Sequence, residues 1–74
     1  MDNAISDYDS VVLLADIPSE GLRAGQTGAV VLIHGLGEAF EVEFPIDLHN
    51  SIVATVRRDQ ILKLRGLKYE AKAG

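Results

Sequence analysis

Phe40, Val42 and Phe44 alternate with Glu41 and Glu43. A period of two predicts a strand with one apolar, buried face and one acidic, wet face. Around it the chain breaks into short β-rich runs bounded by turn residues. Residues 9–15, D-S-V-V-L-L-A, predict a first strand that stops at Asp16-Ile17-Pro18-Ser19, because proline lacks the ladder donor and Asp and Ser favour turns. Residues 19–28 hold Gly21, Gly25 and Gly28 with Leu22 as their only large apolar side chain. They read as a long shaped loop of turn glycines anchored in the core by Leu22.

Gly28 opens the run A-V-V-L-I-H, and Gly35-Leu36-Gly37 separates it from the alternating segment. The two arms predict a hairpin that ends at Pro45. Residues 30–33 are apolar on both faces, which predicts a strand covered twice or a bulge that turns a corner. After Asp47-Leu48-His49-Asn50 the run S-I-V-A-T-V-R predicts a fourth strand. Residues 58–61 leave room for a single 3₁₀ turn. Residues 62–67 predict a fifth strand with Leu62 and Leu64 inward and Lys63 and Arg65 on a basic outer face; the alternative is a short helix over residues 62–73, which Gly66 interrupts. The expected architecture is one all-β domain over residues 8–67, with a flexible segment at 1–7 and a tail at 68–74.

Seventy-four residues allow one core. A chain of this size buries only about 60% of its unfolded surface, so its 47% apolar content must pack densely or meet a partner. The absence of cysteine excludes a disulfide scaffold and a thiolate zinc site and fits a reducing compartment. With no apolar run long enough for a signal peptide or a spanning helix, the expected location is the cytoplasm, without membrane association. Eleven acids against seven bases give a net charge of −4, the wrong sign for the counterion release that drives nucleic-acid binding.

Five short strands, a long loop after the first, a hairpin between the second and third and a 3₁₀ turn before the last follow the order of elements in SH3-like barrels. Gly25-Gln26-Thr27-Gly28-Ala29-Val30-Val31, followed by Glu41-Val42-Glu43-Phe44, resembles the KOW-type motif. Residues 8–64 are also similar to an uncharacterised bacterial family of small stand-alone domains of unknown function. Tyr8-Asp9, Asp16-Ile17-Pro18, Gly21-Leu22-Arg23-Ala24-Gly25, Thr27-Gly28-Ala29-Val30-Val31 and Asp59-Gln60-Ile61 carry that similarity; Arg57-Arg58 departs from it. The resemblance implies a five-stranded SH3-like small barrel. It also implies a protein partner encoded nearby, toxin-like in some cases, or, for KOW-type domains, RNA or ribosomal surfaces.

His34, His49 and Asp47 are the residues that could begin a metal or acid–base constellation, but their spacing does not enforce convergence, and solvated surface histidines are the expected reading. No serine or threonine sits in an elbow-like G-x-S-x-G context or beside a histidine, and Gly21, Gly25 and Gly28 do not form a phosphate-binding loop. Neither catalysis nor a cofactor, metal or small-molecule substrate is expected. Among the apolar loop residues Ile17, Leu22, Leu36, Leu48 and Leu67, some are expected to plug the core. A barrel this small is not expected to bury all of them with Val12, Leu14, Val31 and Val53, and an exposed remainder marks a protein-binding face or a homo-oligomer contact.

Two functions follow as expectations. The first is a non-catalytic protein-interaction module, an accessory or neutralising partner of a nearby-encoded protein, binding through Leu36, Glu38, Glu41, Glu43 and Leu48. An acidic surface suits a basic partner. The second is an RNA- or ribosome-associated domain using Arg57, Arg58, Lys63 and Arg65 as phosphate contacts.

Overall fold

The computed structural model describes residues 4–68. Strands β1 (Asp9–Leu13), β2 (Thr27–His34), β3 (Ala39–Pro45), β4 (Ser51–Arg57) and β5 (Ile61–Lys68) form one antiparallel sheet in the order β4-β3-β2-β1-β5. One 3₁₀ turn, Pro18–Glu20, lies in the loop after β1, and a second, Arg58–Gln60, joins β4 to β5. The sheet is not closed, and β4 and β5 are its edges. Yet every strand sends side chains into the same core: Val11 and Leu13 from β1, Val30 from β2, Phe40, Val42 and Phe44 from β3, Ala54 and Val56 from β4, and Ile61 from β5. A single layer can converge in this way only by curling on itself, which the right-handed twist of strands favours.

The second strand shows how its doubly apolar sequence is resolved. Val30 pairs with Val42 and Leu32 with Glu41, so Val31 is the additional residue of a bulge. Before the bulge Gly28 and Val30 face inward; after it Ile33 packs on the core, and Leu32 is turned out. Gly28 is therefore not a turn glycine. It lies in β2, where an added Cβ would stand 2.6 Å from the Glu43 carbonyl oxygen and 2.8 Å from Val42 Cγ1. Gly21 and Gly25 do occupy positive φ, +72° and +94°, as turns require. Between them Leu22 is buried as the expected anchor, bridged to Ile17.

The face of the last strand differs from expectation, and the first strand shows why. On β1 Asp9, Val11 and Leu13 point inward, whereas Val12 is half-buried and Leu14 is exposed. On β5 Ile61 lies opposite Leu13, Leu62 opposite Val12 and Lys63 opposite Val11. Directly opposed residues share a face, so Lys63 faces inward and Leu62 outward, the reverse of the predicted alternation. The physical reason is Asp9, which is 1% exposed. Lys63 Nζ lies 3.4 Å from Asp9 Oδ2 and donates to the Ala4 carbonyl at 2.9 Å. The lysine stem covers the rim of the core while its ammonium meets that carboxylate.

Ahead of β1 the Ser6 amide donates to Asp9 Oδ2 at 2.8 Å, the Asp9 amide to the Ser6 carbonyl at 3.1 Å, and the Tyr8 amide to the Val30 carbonyl at 2.8 Å. This turn docks on β2 and seats Ile5 in the core, although the sequence places residue 5 ahead of the domain. At the other end β5 continues as strand to Lys68 where the alternative reading has helix; the rest of that helix and of the predicted tail, residues 69–74, lies outside the described residues, as does the Leu67 side chain. Among the described residues no helix is long and apolar enough to cross a membrane.

Candidate functional site

The outward face of β2, β3 and β4 is built in rows. Leu32, Glu41 and Thr55 form one, Ala29, Glu43 and Val53 a second, and His34, Ala39 and Arg57 a third. Two carboxylates thus stand in the middle strand, and both are positioned by neighbours. Glu41 Oε2 accepts a hydrogen bond from Thr55 Oγ1 at 2.7 Å and shares one with His34 Nε2 at 2.8 Å. Glu43 Oε2 accepts from Ser51 Oγ at 2.7 Å. Flanking them, Leu32 and Val53 remain 50% and 53% exposed. Carboxylates and exposed aliphatic side chains thus alternate across three strands.

His34 first, and Thr55 second, hold the Glu41 carboxyl below its ordinary value of 4.5. A depressed folded pKa contributes stability above the unfolded value and loses it as pH falls through the folded value. The melting temperature of the wild-type protein is therefore expected to fall more steeply below about pH 4.5 than that of Glu41→Gln. Parallel profiles would show that these hydrogen bonds do not favour the ionised carboxylate.

The other sequence candidates are dispersed. Leu36, 98% exposed, tips the hairpin between β2 and β3, and Leu48, 93% exposed, tips the loop between β3 and β4. They lie at opposite ends of β3, about 20 Å apart along a seven-residue strand. Glu38 braces the hairpin, accepting from the Leu36 amide at 2.9 Å. Asp47 braces the other loop, accepting from the His49 amide at 2.9 Å and from the Asn50 amide and Nδ2 at 3.0 Å. The His49 amide, followed by the Asn50 side chain, holds the Asp47 carboxyl below its ordinary range. His34 and His49 fall at opposite ends of the hairpin, and among the described residues no three of His, Cys, Asp and Glu gather as metal ligands would.

Among the described residues the basic side chains are turned to separate partners. Arg57 is outward and its Nε lies 3.3 Å from Asp59 Oδ1. Arg58 is half-buried and donates from Nη1 to the Ile61 carbonyl at 3.1 Å. Lys63 is turned to Asp9, and the Arg65 side chain lies outside the described residues. Arg58 also stands at the rim of an apolar groove of about 380 Å³ between Ile5, Ile33, Leu36 and Phe40.

Of the exposed aliphatics beside the acids, Val53 belongs to the apolar set that the sequence marks as too large for the core, whereas Leu32 escapes the sequence reading. Leu32 belongs to a run apolar on both faces, and only the position of the bulge decides which of its residues is left out. A profile of the family described as Domain of unknown function (DUF4926) matches residues 7–63. No curated protein and no solved structure matches the chain.

Proposed function

The chain belongs to the DUF4926 family, and we propose that it is a non-catalytic protein-interaction module whose outward β2–β3–β4 face receives a basic partner. The observation that carries this reading is the placement of Glu41 and Glu43 between the exposed Leu32 and Val53. Charge across such a face steers encounter and fixes register, and the aliphatics supply the desolvated contact. The strand order and the 3₁₀ turn before the last strand support reading the curled sheet as an SH3-like small barrel, with KOW-type domains among its relatives. An accessory or neutralising role toward a basic protein encoded nearby, in the cytoplasm, fits the net charge of −4.

Purification of a tagged chain from its native host, after nuclease treatment and at low and moderate salt, tests this reading. The expected result is one basic protein retained in stoichiometric amount through both treatments. Recovery of no stoichiometric protein, or of material that disappears with nuclease, overturns it; the latter transfers the function to RNA binding around Arg57 and Arg58.

A further inference from the structure

The strand β4 is an edge without the usual protection. It pairs with β3 over Ala39↔Arg57 through Pro45↔Ser51 without a register shift, and its outer side meets no strand among the described residues. Edge strands present a row of free backbone donors and acceptors, and natural proteins blunt them with prolines, lysines, bulges or short length. The seven residues of β4, S-I-V-A-T-V-R, contain no proline and no lysine, and Val53, next to the central Ala54, stands exposed. By contrast, the bulges of this sheet fall in the pairings of β2 with β3 and of β1 with β5.

We infer that β4 pairs antiparallel with β4 of a second copy of the chain, about a two-fold axis at Ala54. Side chains can share a face across such an axis only if paired positions have the same parity, and centring on Ala54 is the register that overlaps all seven residues. It sets Ala54 against Ala54, Ile52 against Val56, Val53 against Thr55 and Ser51 against Arg57. The inward positions Ile52, Ala54 and Val56 then continue one apolar layer into the next. The outward positions are self-complementary in charge. Ser51 Oγ already holds Glu43 at 2.7 Å, so the opposing Arg57 reaches a carboxylate fixed beside it, and the symmetry repeats the pair. In one chain the Arg57 guanidinium lies 3.3 Å from the exposed Asp59, a contact that solvent screens. Glu41 and the opposing Glu43 are kept three strand spacings apart, about 14 Å, so no like charges meet.

The inference goes beyond the proposed partner and does not rest on it, since it is read on the purified chain alone. Sedimentation equilibrium over a concentration series is expected to give a species of twice the 8.0 kDa chain mass. Arg57→Glu and Val53→Lys change exposed side chains, so each keeps its strand circular dichroism; each is expected to weaken dimerisation at least about tenfold, and Glu43→Arg combined with Arg57→Glu to restore it, as a charge pair across an interface requires. Amide exchange of alternate β4 residues is expected to slow with rising concentration. A chain monomeric at the highest concentration reached, or a dimer indifferent to Arg57→Glu and Val53→Lys, overturns the inference.

Discussion

Lys63→Ala is expected to destabilise the protein by about 3 kcal/mol, and Leu62→Ala by only about 1 kcal/mol, the opposite of what side-chain polarity suggests. Leu62 is half-exposed and gives back little apolar burial. Lys63, with a quarter of its side chain exposed, faces Asp9 at the rim of the core, and its removal takes an ammonium away from a carboxylate that is 1% exposed. Breaking a buried ion pair costs roughly 3–5 kcal/mol, and the partial exposure of the lysine sets the expectation at the lower end. Replacing both partners, as Asp9→Asn with Lys63→Met, is expected to recover much of the loss, because the charge and its counter-charge disappear together. Urea midpoints at constant m-value check the series; a greater loss for Leu62→Ala would restore the alternation in which Lys63 faces water.

Gly28→Ala is expected to cost about 2–3 kcal/mol, since the added methyl meets the backbone carbonyl of Glu43, which cannot rotate away as a side chain can. Gly25→Ala is the comparison. Nothing lies within 4 Å of its added Cβ, and the substitution bears only the strain of φ +94°, about 1 kcal/mol. The same urea titrations distinguish the two: equal losses would mean that Gly28 serves as a conformational glycine rather than as the point where β2 and β3 approach.

These two residues mark the limit of what the chain discloses by itself. The alternation of Phe40, Val42 and Phe44 with Glu41 and Glu43 reads directly because β3 lies between two partners and has a single consistent inner face. The fourth strand and the 3₁₀ turn read equally well, bounded by turn residues at both ends. The inner face of β5 does not read, because polarity alone cannot anticipate that a buried aspartate on β1, distant in sequence, draws the lysine inward. Gly28 has the composition of a loop glycine, and only its contact with Glu43 assigns it to a strand.

The site divides in the same way. Glu41 and Glu43 are legible from their period, but their carriers His34, Thr55 and Ser51 come from neighbouring strands and appear only with the register. Leu36 and Leu48 look like partners of those acids in the sequence, yet turn chemistry sends them to opposite ends of β3. Leu32 and Val53 are the aliphatics that cross-strand pairing sets beside the carboxylates.

We propose that this face, rather than the chain's charge as a whole, receives a basic protein. The most direct test is side-by-side purification of the wild-type chain and of Leu32→Ser combined with Glu41→Lys, a variant that alters the centre of the face and leaves β4 and Glu43 intact. The wild type is expected to retain its basic partner and the variant, still folded and still self-associating, to lose at least about nine-tenths of it, as removal of a central apolar contact and a charge does at interfaces. Undiminished recovery of the partner by the variant would contradict the proposal.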